Sequence, residues 1–152
     1  MINKERFLNT LKQYDIEISD LQFSQLDKYA EILVDYNEKV NLTAITDPEG
    51  IENKHFLDSL LFDKNPLVKG KVVDVGTGAG FPSLPIKIVR PDIDITMVDS
   101  LNKRIGFLNM LCDQLKIKSN NIHWISTTTF HATLYIWISF HICNSFIHFF
   151  IF

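Results

Sequence analysis

Residues Val72-Val73-Asp74-Val75-Gly76-Thr77-Gly78-Ala79-Gly80-Phe81-Pro82 constrain this chain more than any other stretch: a short β-branched run breaks into glycine at every second position. β-branched residues favour an extended strand. Glycines directly after a strand let the backbone turn with positive φ and let a ligand approach where a Cβ would collide. They also set free amides of the following helix beside that ligand. A second extended run, Ile93 to Asp99, ends in an acid 23 residues beyond Gly76. That is near the spacing of about 20 at which a carboxylate takes ribose hydroxyls. A nucleoside pocket at the carboxyl edge of a parallel sheet is therefore expected.

The flanking pattern agrees. Phe7, Leu8 and Leu11 fall at helical spacing in residues 5–14. Ser19 and Asp20 are cap candidates for a stronger helix whose apolar stripe is Leu21, Leu26, Tyr29, Ile32, Leu33 and Tyr36. Asp47-Pro48-Glu49 reads as a helix start leading through Ile51, His55, Leu57 and Leu60 to Phe62, ended by Asn65-Pro66. Then come strand Lys71–Val75, a helix from Leu84 to Val89, strand Ile93–Asp99 and a helix carrying Ile105, Leu108, Leu111, Cys112 and Leu115, with Ser100 as its cap. A third strand is expected from Ile122 to Ile125. This alternation gives an α/β fold with a parallel sheet and right-handed crossovers. Three regions follow: a helical N-terminal cap (1–66), a partial Rossmann-like core (67–125) and an atypical tail (126–152).

Charge separates these regions. Residues 1–63 carry 6 basic and 13 acidic side chains, net −7, and residues 64–123 carry 9 and 5, net +4. An acidic front half is a poor nonspecific grip on nucleic acid, because it repels phosphate. The two cysteines, Cys112 and Cys143, have no metal or disulfide spacing and fit a reducing compartment, and no signal peptide opens the chain.

The ligand class follows from one position. A dinucleotide fingerprint requires glycine or alanine three residues after its second glycine; here that residue is Phe81. A nicotinamide-dependent oxidoreductase is thereby disfavoured. Asp74-x-Gly76-x-Gly78-x-Gly80 instead resembles the first motif of class I methyltransferases. Asn41-Leu42-Thr43, His55-Phe56-Leu57-Asp58-Ser59-Leu60, Arg90-Pro91 and Asp99-Ser100-Leu101-Asn102-Lys103-Arg104 accompany it in one order. Together, from about residue 3 to about residue 125, these segments closely resemble the bacterial 16S ribosomal RNA guanine-N7 methyltransferase family, also called the glucose-inhibited division protein B family.

That resemblance implies a class I methyltransferase fold, S-adenosyl-L-methionine as cofactor, small-subunit ribosomal RNA as partner and a cytoplasmic location. It implies that Gly76 and Phe81 contact the cofactor, with Gly78, Gly80 and Asp99 completing the pocket and Asp74 near the cofactor's methionine end. Phe81, an apolar side chain opening a helix, suits packing either against the cofactor or in the core. Guanine N7 has a lone pair and no proton, so positioning rather than a general base is required, and no catalytic acid or base is assigned. Lys103, Arg104 and His55 are candidate substrate contacts. The plainer alternatives are a solvated pair of cations and, for His55, a structural hydrogen-bonding pair with Asp58. No metal site and no oligomeric state are indicated.

The family pattern stops near residue 125. Neither the Ala-Glu pair expected to hold the adenine nor a later Arg-Ala segment is present, and no Lys, Arg, Asp or Glu follows Lys118. Residues 124–152 hold 9 of the 18 aromatics. The expected sheet therefore lacks its C-terminal part, with one edge of a three-stranded remnant unpaired and one pocket wall absent. Residues 130–152 are long enough for a membrane span. However, His131, His141, Asn144 and His148 interrupt them and no cation flanks them, so an aggregation-prone, displaced tail is expected rather than a membrane anchor. The alternative function is accordingly a truncated, catalytically inactive remnant retaining only partial cofactor or RNA binding.

Overall fold

A computed structural model describes residues 1–117, 122–126, 139–142 and 145–151. Helix α1 (Lys4–Gln13) is capped by Asn3, whose side chain accepts from the Arg6 amide. Helix α2 (Asp20–Val40) opens with a capping box: Ser19 accepts from the Gln22 amide, while the Gln22 side chain accepts from the Ser19 amide. Of the expected α2 stripe, Leu26, Tyr29, Ile32 and Leu33 are buried, but Leu21 is 69% exposed and Phe23 takes the inward position. Helical spacing explains the difference: Phe23 lines up with Leu26, Ala30 and Leu33 on one face, whereas Leu21 lies about 200° round the helix from Phe23.

The expected third helix is three segments. Helix α3 (Pro48–Gly50) is one turn, capped by Asp47 accepting from the Gly50 amide. It runs into a π-helical stretch, Ile51–Leu57, and returns to α-geometry in α4 (Asp58–Asp63). The buried Glu52 anchors this stretch to α1. Its carboxylate accepts from Arg6 Nε at 2.8 Å, from Arg6 Nη2 at 2.9 Å and from the Asn3 amide at 2.7 Å.

Strand β1 (Lys71–Val75), helix α5 (Ser83–Val89), strand β2 (Asp94–Asp99), helix α6 (Asn102–Leu115) and strand β3 (Ile122–Ser126) follow in the expected alternation. β1 pairs with β2 in parallel, Val72 opposite Ile95 and Val75 opposite Val98, and β2 pairs with β3 in parallel. This is a partial Rossmann-like parallel sheet. The cap and the sheet share one buried cluster that includes Phe7, Leu26, Tyr29, Phe56, Ile95, Phe107 and Leu111. Polar seams join them too. Gln22 Nε2 donates to the carbonyls of Ile88 and Val89 that end α5, and Gln25 Nε2 donates to Leu115 at the end of α6. Each satisfies a helix-terminal acceptor with no intrahelical partner.

The second edge of β1 differs from expectation. It is paired, not open: β5 (Ser145–Ile151) runs antiparallel to it, Val72 opposite Ile151 and Val75 opposite His148. β4 (Ser139–Ile142) pairs antiparallel with β5, giving the order β3-β2-β1-β5-β4. An unpaired edge presents a row of backbone donors and acceptors to any β-prone segment, and this tail is rich in β-branched and aromatic residues. Residues 127–138, 143, 144 and 152, including Cys143 and much of the stretch weighed as a membrane span, lie outside the described residues. Among the described residues no helix is long and apolar enough to cross a membrane.

Candidate cofactor site

The glycine loop begins where β1 ends. Gly76 and Thr77 donate their amides to the Val98 carbonyl at 2.8 and 3.2 Å, so the loop leaves the sheet still tied to β2. Gly80 then donates to Thr77, and Leu84 to Gly80, which starts α5. Two glycines do different work. At Gly76 φ is +81° and a Cβ would meet nothing within 4 Å, so the backbone borders open space. At Gly80 φ is +99°, and a Cβ would lie 2.7 Å from Leu108 Cδ2 and 2.8 Å from the Tyr29 hydroxyl. Gly76 therefore leaves room for a ligand, and Gly80 lets the loop seat against the core. Gly78, also at positive φ, points its amide at Asp99.

Asp99 ends β2 with its side chain 1% exposed. Its Oδ2 accepts from the Gly78 amide at 3.0 Å and from Arg104 Nη1 at 3.4 Å, and its Oδ1 accepts from the Leu101 amide at 2.9 Å. A carboxylate has about four acceptor positions, so three are engaged and one remains. Arg104 Nε is itself buried with no hydrogen-bond partner. The Ser100 cap expected for α6 is not formed: the cap residue is Leu101, and Asp99 supplies the side-chain acceptor one residue earlier.

Asp74 lies one strand over, buried on the side of β1 that also carries Val72. Burial pushes its carboxyl up to about 7; the hydrogen bond from Ser83 pulls it down, and the charge of Asp99 pushes it further up. Ser83 Oγ donates to Asp74 Oδ2 at 2.7 Å, which ties the first turn of α5 to β1.

Phe81 does not present a bare ring to the pocket. Tyr29 stacks on it at 5.3 Å with 1° between planes, and the His55 ring stacks at 4.2 Å with 7° between planes. What Phe81 has left for a ligand is its edge and its backbone. His55 is not paired with Asp58. Its Nε2 lies 2.8 Å from Thr43 Oγ1, which also accepts from the Ile45 amide. Burial lowers the His55 pKa from its ordinary value, partly opposed by a bond to the Lys54 carbonyl. Lys103 is exposed at the start of α6, outside the cluster, whereas Arg104 is half-buried against Asp99.

The family model described as "GidB: rRNA small subunit methyltransferase G" matches residues 22–129. The chain belongs to this family. It is 52% identical over 124 residues to ribosomal RNA small subunit methyltransferase G of Lysinibacillus sphaericus, covering 79% of this chain and 51% of that protein. Against the Exiguobacterium sibiricum protein of the same name it is 51% identical over 126 residues, covering 80% and 52%. Against that of Streptococcus pneumoniae it is 46% identical over 127 residues, covering 79% and 51%. The chain thus spans about half the length of the curated relatives it matches.

Three site residues carried no assigned role in the sequence reading. Tyr29 stood out only as part of a core stripe, yet its hydroxyl donates to the Ala79 carbonyl at 2.5 Å in the middle of the methyltransferase loop. Ser83, two residues past Phe81 at the start of α5, has a positional signal as a partner for Asp74. Thr43 belongs to the Asn41-Leu42-Thr43 family segment, but its contact with His55 depends on a loop folding back over a helix, which no local spacing encodes. Among the described residues no group of three or more His, Cys, Asp or Glu could hold a metal ion.

Proposed function

We propose that this chain binds S-adenosyl-L-methionine across the glycine loop and serves methylation of guanine N7 in small-subunit ribosomal RNA. The observation carrying the cofactor reading is the pairing of open space at Gly76 with the buried Asp99 carboxylate held against the Gly78 amide. A cradle free of Cβ atoms beside an acid with one acceptor position left fits the ribose of an adenosyl group. Gly76, Gly78 and Gly80 shape the loop, Asp99 takes the ribose, and Asp74 sits toward the methionine end. Phe81 contributes its ring edge and backbone.

When bound, the cofactor supplies an electrophilic methyl group on a sulfonium. Guanine N7 offers a lone pair and loses no proton, so the protein holds two partners in line and takes up no proton itself. Asp74 suits the methionine end for a physical reason: a buried carboxyl shifted toward 7 ionises readily once a cationic group lies beside it. Lys103, exposed at the start of α6, is the cation available to RNA phosphate, and Arg104 joins it when a ribose hydroxyl displaces it from Asp99.

The family names and the 52% identity support RNA as substrate. Methyl transfer to small-subunit RNA by the purified chain, abolished by Asp99→Ala, is the test, and absence of transfer with intact RNA and cofactor would refute turnover. One observation favours the second reading, a remnant that binds without turnover: β1's second neighbour is antiparallel, and residues 145–147 of β5 continue past Val75 at the carboxyl end of β1. In that reading cofactor binding persists without methyl transfer.

A further inference from the structure

We infer that His55 is a positioning residue of the cofactor loop, one plate of an aromatic clamp, Tyr29–Phe81–His55, by which the helical cap fixes the glycine turn. The inference rests on the reading of that turn as the cofactor loop, but the clamp itself is a property of the ligand-free fold. Phe81 is the residue at which the glycine turn becomes α5, and its two faces are held by rings from two separate cap elements. Tyr29 comes from α2 and His55 from the π-helical stretch, at 5.3 and 4.2 Å with near-parallel planes. Phe56 reaches the same ring tilted at 6.0 Å and Tyr29 at 5.5 Å, so both faces and one flank are enclosed.

Two hydrogen bonds lock the plates. The Tyr29 hydroxyl donates to the Ala79 carbonyl, gripping the turn two residues before Phe81. His55 Nε2 is held by Thr43, whose own position is fixed because Asn37 Oδ1 accepts from the Leu42 and Thr43 amides. His55 and Phe56, neighbours in the π-helical stretch, both reach Phe81. At Gly80, a Cβ would collide with the Tyr29 hydroxyl, so the turn and the clamp fit only together. A turn built of three glycines has high conformational freedom, and it must be held from outside to keep its amides aimed.

The test is amide hydrogen exchange on the ligand-free full chain, wild type against His55→Ala, His55→Phe and Thr43→Val. The clamp predicts roughly tenfold faster exchange at the Gly78, Gly80 and Leu84 amides in His55→Ala, with the β1–β2 ladder unchanged. His55→Phe and Thr43→Val, which each keep a stacking ring but lose the Thr43–His55 bond, both fall between His55→Ala and wild type. Equal acceleration of loop and ladder, no acceleration at all, or a His55→Phe variant as loose as His55→Ala would each overturn the inference. S-adenosylhomocysteine titration separates the two readings. A wild type that takes up none contradicts the cofactor assignment while the exchange data still decide the clamp. A wild type that binds should lose affinity in His55→Ala by a similar factor.

Discussion

Strand β1 has two paired edges that were specified in different ways. On one side β2 is delivered by α5, runs parallel and brings Ile95, Met97 and Asp99 into the buried centre. On the other, β5 comes from the uncharged tail and runs antiparallel. The first pairing is fixed by a crossover helix, a shared core and a loop whose amides still bond to β2. The second needs only a strand-prone segment able to satisfy an exposed ladder. Backbone hydrogen bonding alone can close a sheet edge; placing an acid and a glycine turn for chemistry takes the packed side.

That contrast can be broken by mutation. Met97→Ala removes a fully buried side chain from β2 and should cost about 2–5 kcal/mol of unfolding free energy in urea titrations. A loss below about 1 kcal/mol would mean that β2 is not the packed edge.

Asp74→Asn probes the acid beside the loop. With its pKa raised to about 7, the Asp74 carboxyl is protonated in both folded and unfolded chains at low pH, where its contribution to stability is fully present. As pH rises past the ordinary carboxylate range only the unfolded chain ionises, so stability falls until the folded group ionises near pH 7. The asparagine variant should flatten that decline and be more stable than wild type at pH 8, by roughly 1–4 kcal/mol. Melting curves from pH 4 to 8 read this directly; an unchanged slope would remove Asp74 as the cause.

The smallest effect belongs to the other edge. Phe149→Pro deletes the backbone donor of the residue opposite Asp74 in the β1–β5 ladder. It should cost less than about 1 kcal/mol and leave the loop's exchange protection intact. A loss as large as that of Met97→Ala would show the tail strand to be part of the core.

The sequence announced the packed side, but it pointed to an unpaired edge where β5 in fact pairs with β1. The change from helical spacing to the β-branched run at Val72–Val75, the glycines and the acid at Asp99 marked β1, the loop and β2, because local chemistry dictates each. The π-helical winding at Ile51–Leu57 left no signal, since apolar residues at 51, 56, 57 and 60 suit an ordinary helix equally well. The Ser100 cap of α6 did not form: the helix is capped one residue later at Leu101, whose amide donates to the Asp99 carboxylate. The His55–Thr43 bond and the stack on Phe81 join residues far apart in sequence, so spacing could not show them. The direction of β5 was illegible for another reason: pairing to an open edge depends on backbone groups that every residue shares.

The central claim is that the glycine loop and Asp99 form a working cofactor site in this chain, and thermal melting with S-adenosylhomocysteine tests it most directly. At about 100 times the dissociation constant, ligand should add about 2.7 kcal/mol and raise the melting temperature by several degrees, and Asp99→Ala should lose that shift. A folded wild-type protein that melts at the same temperature with and without ligand would contradict the account.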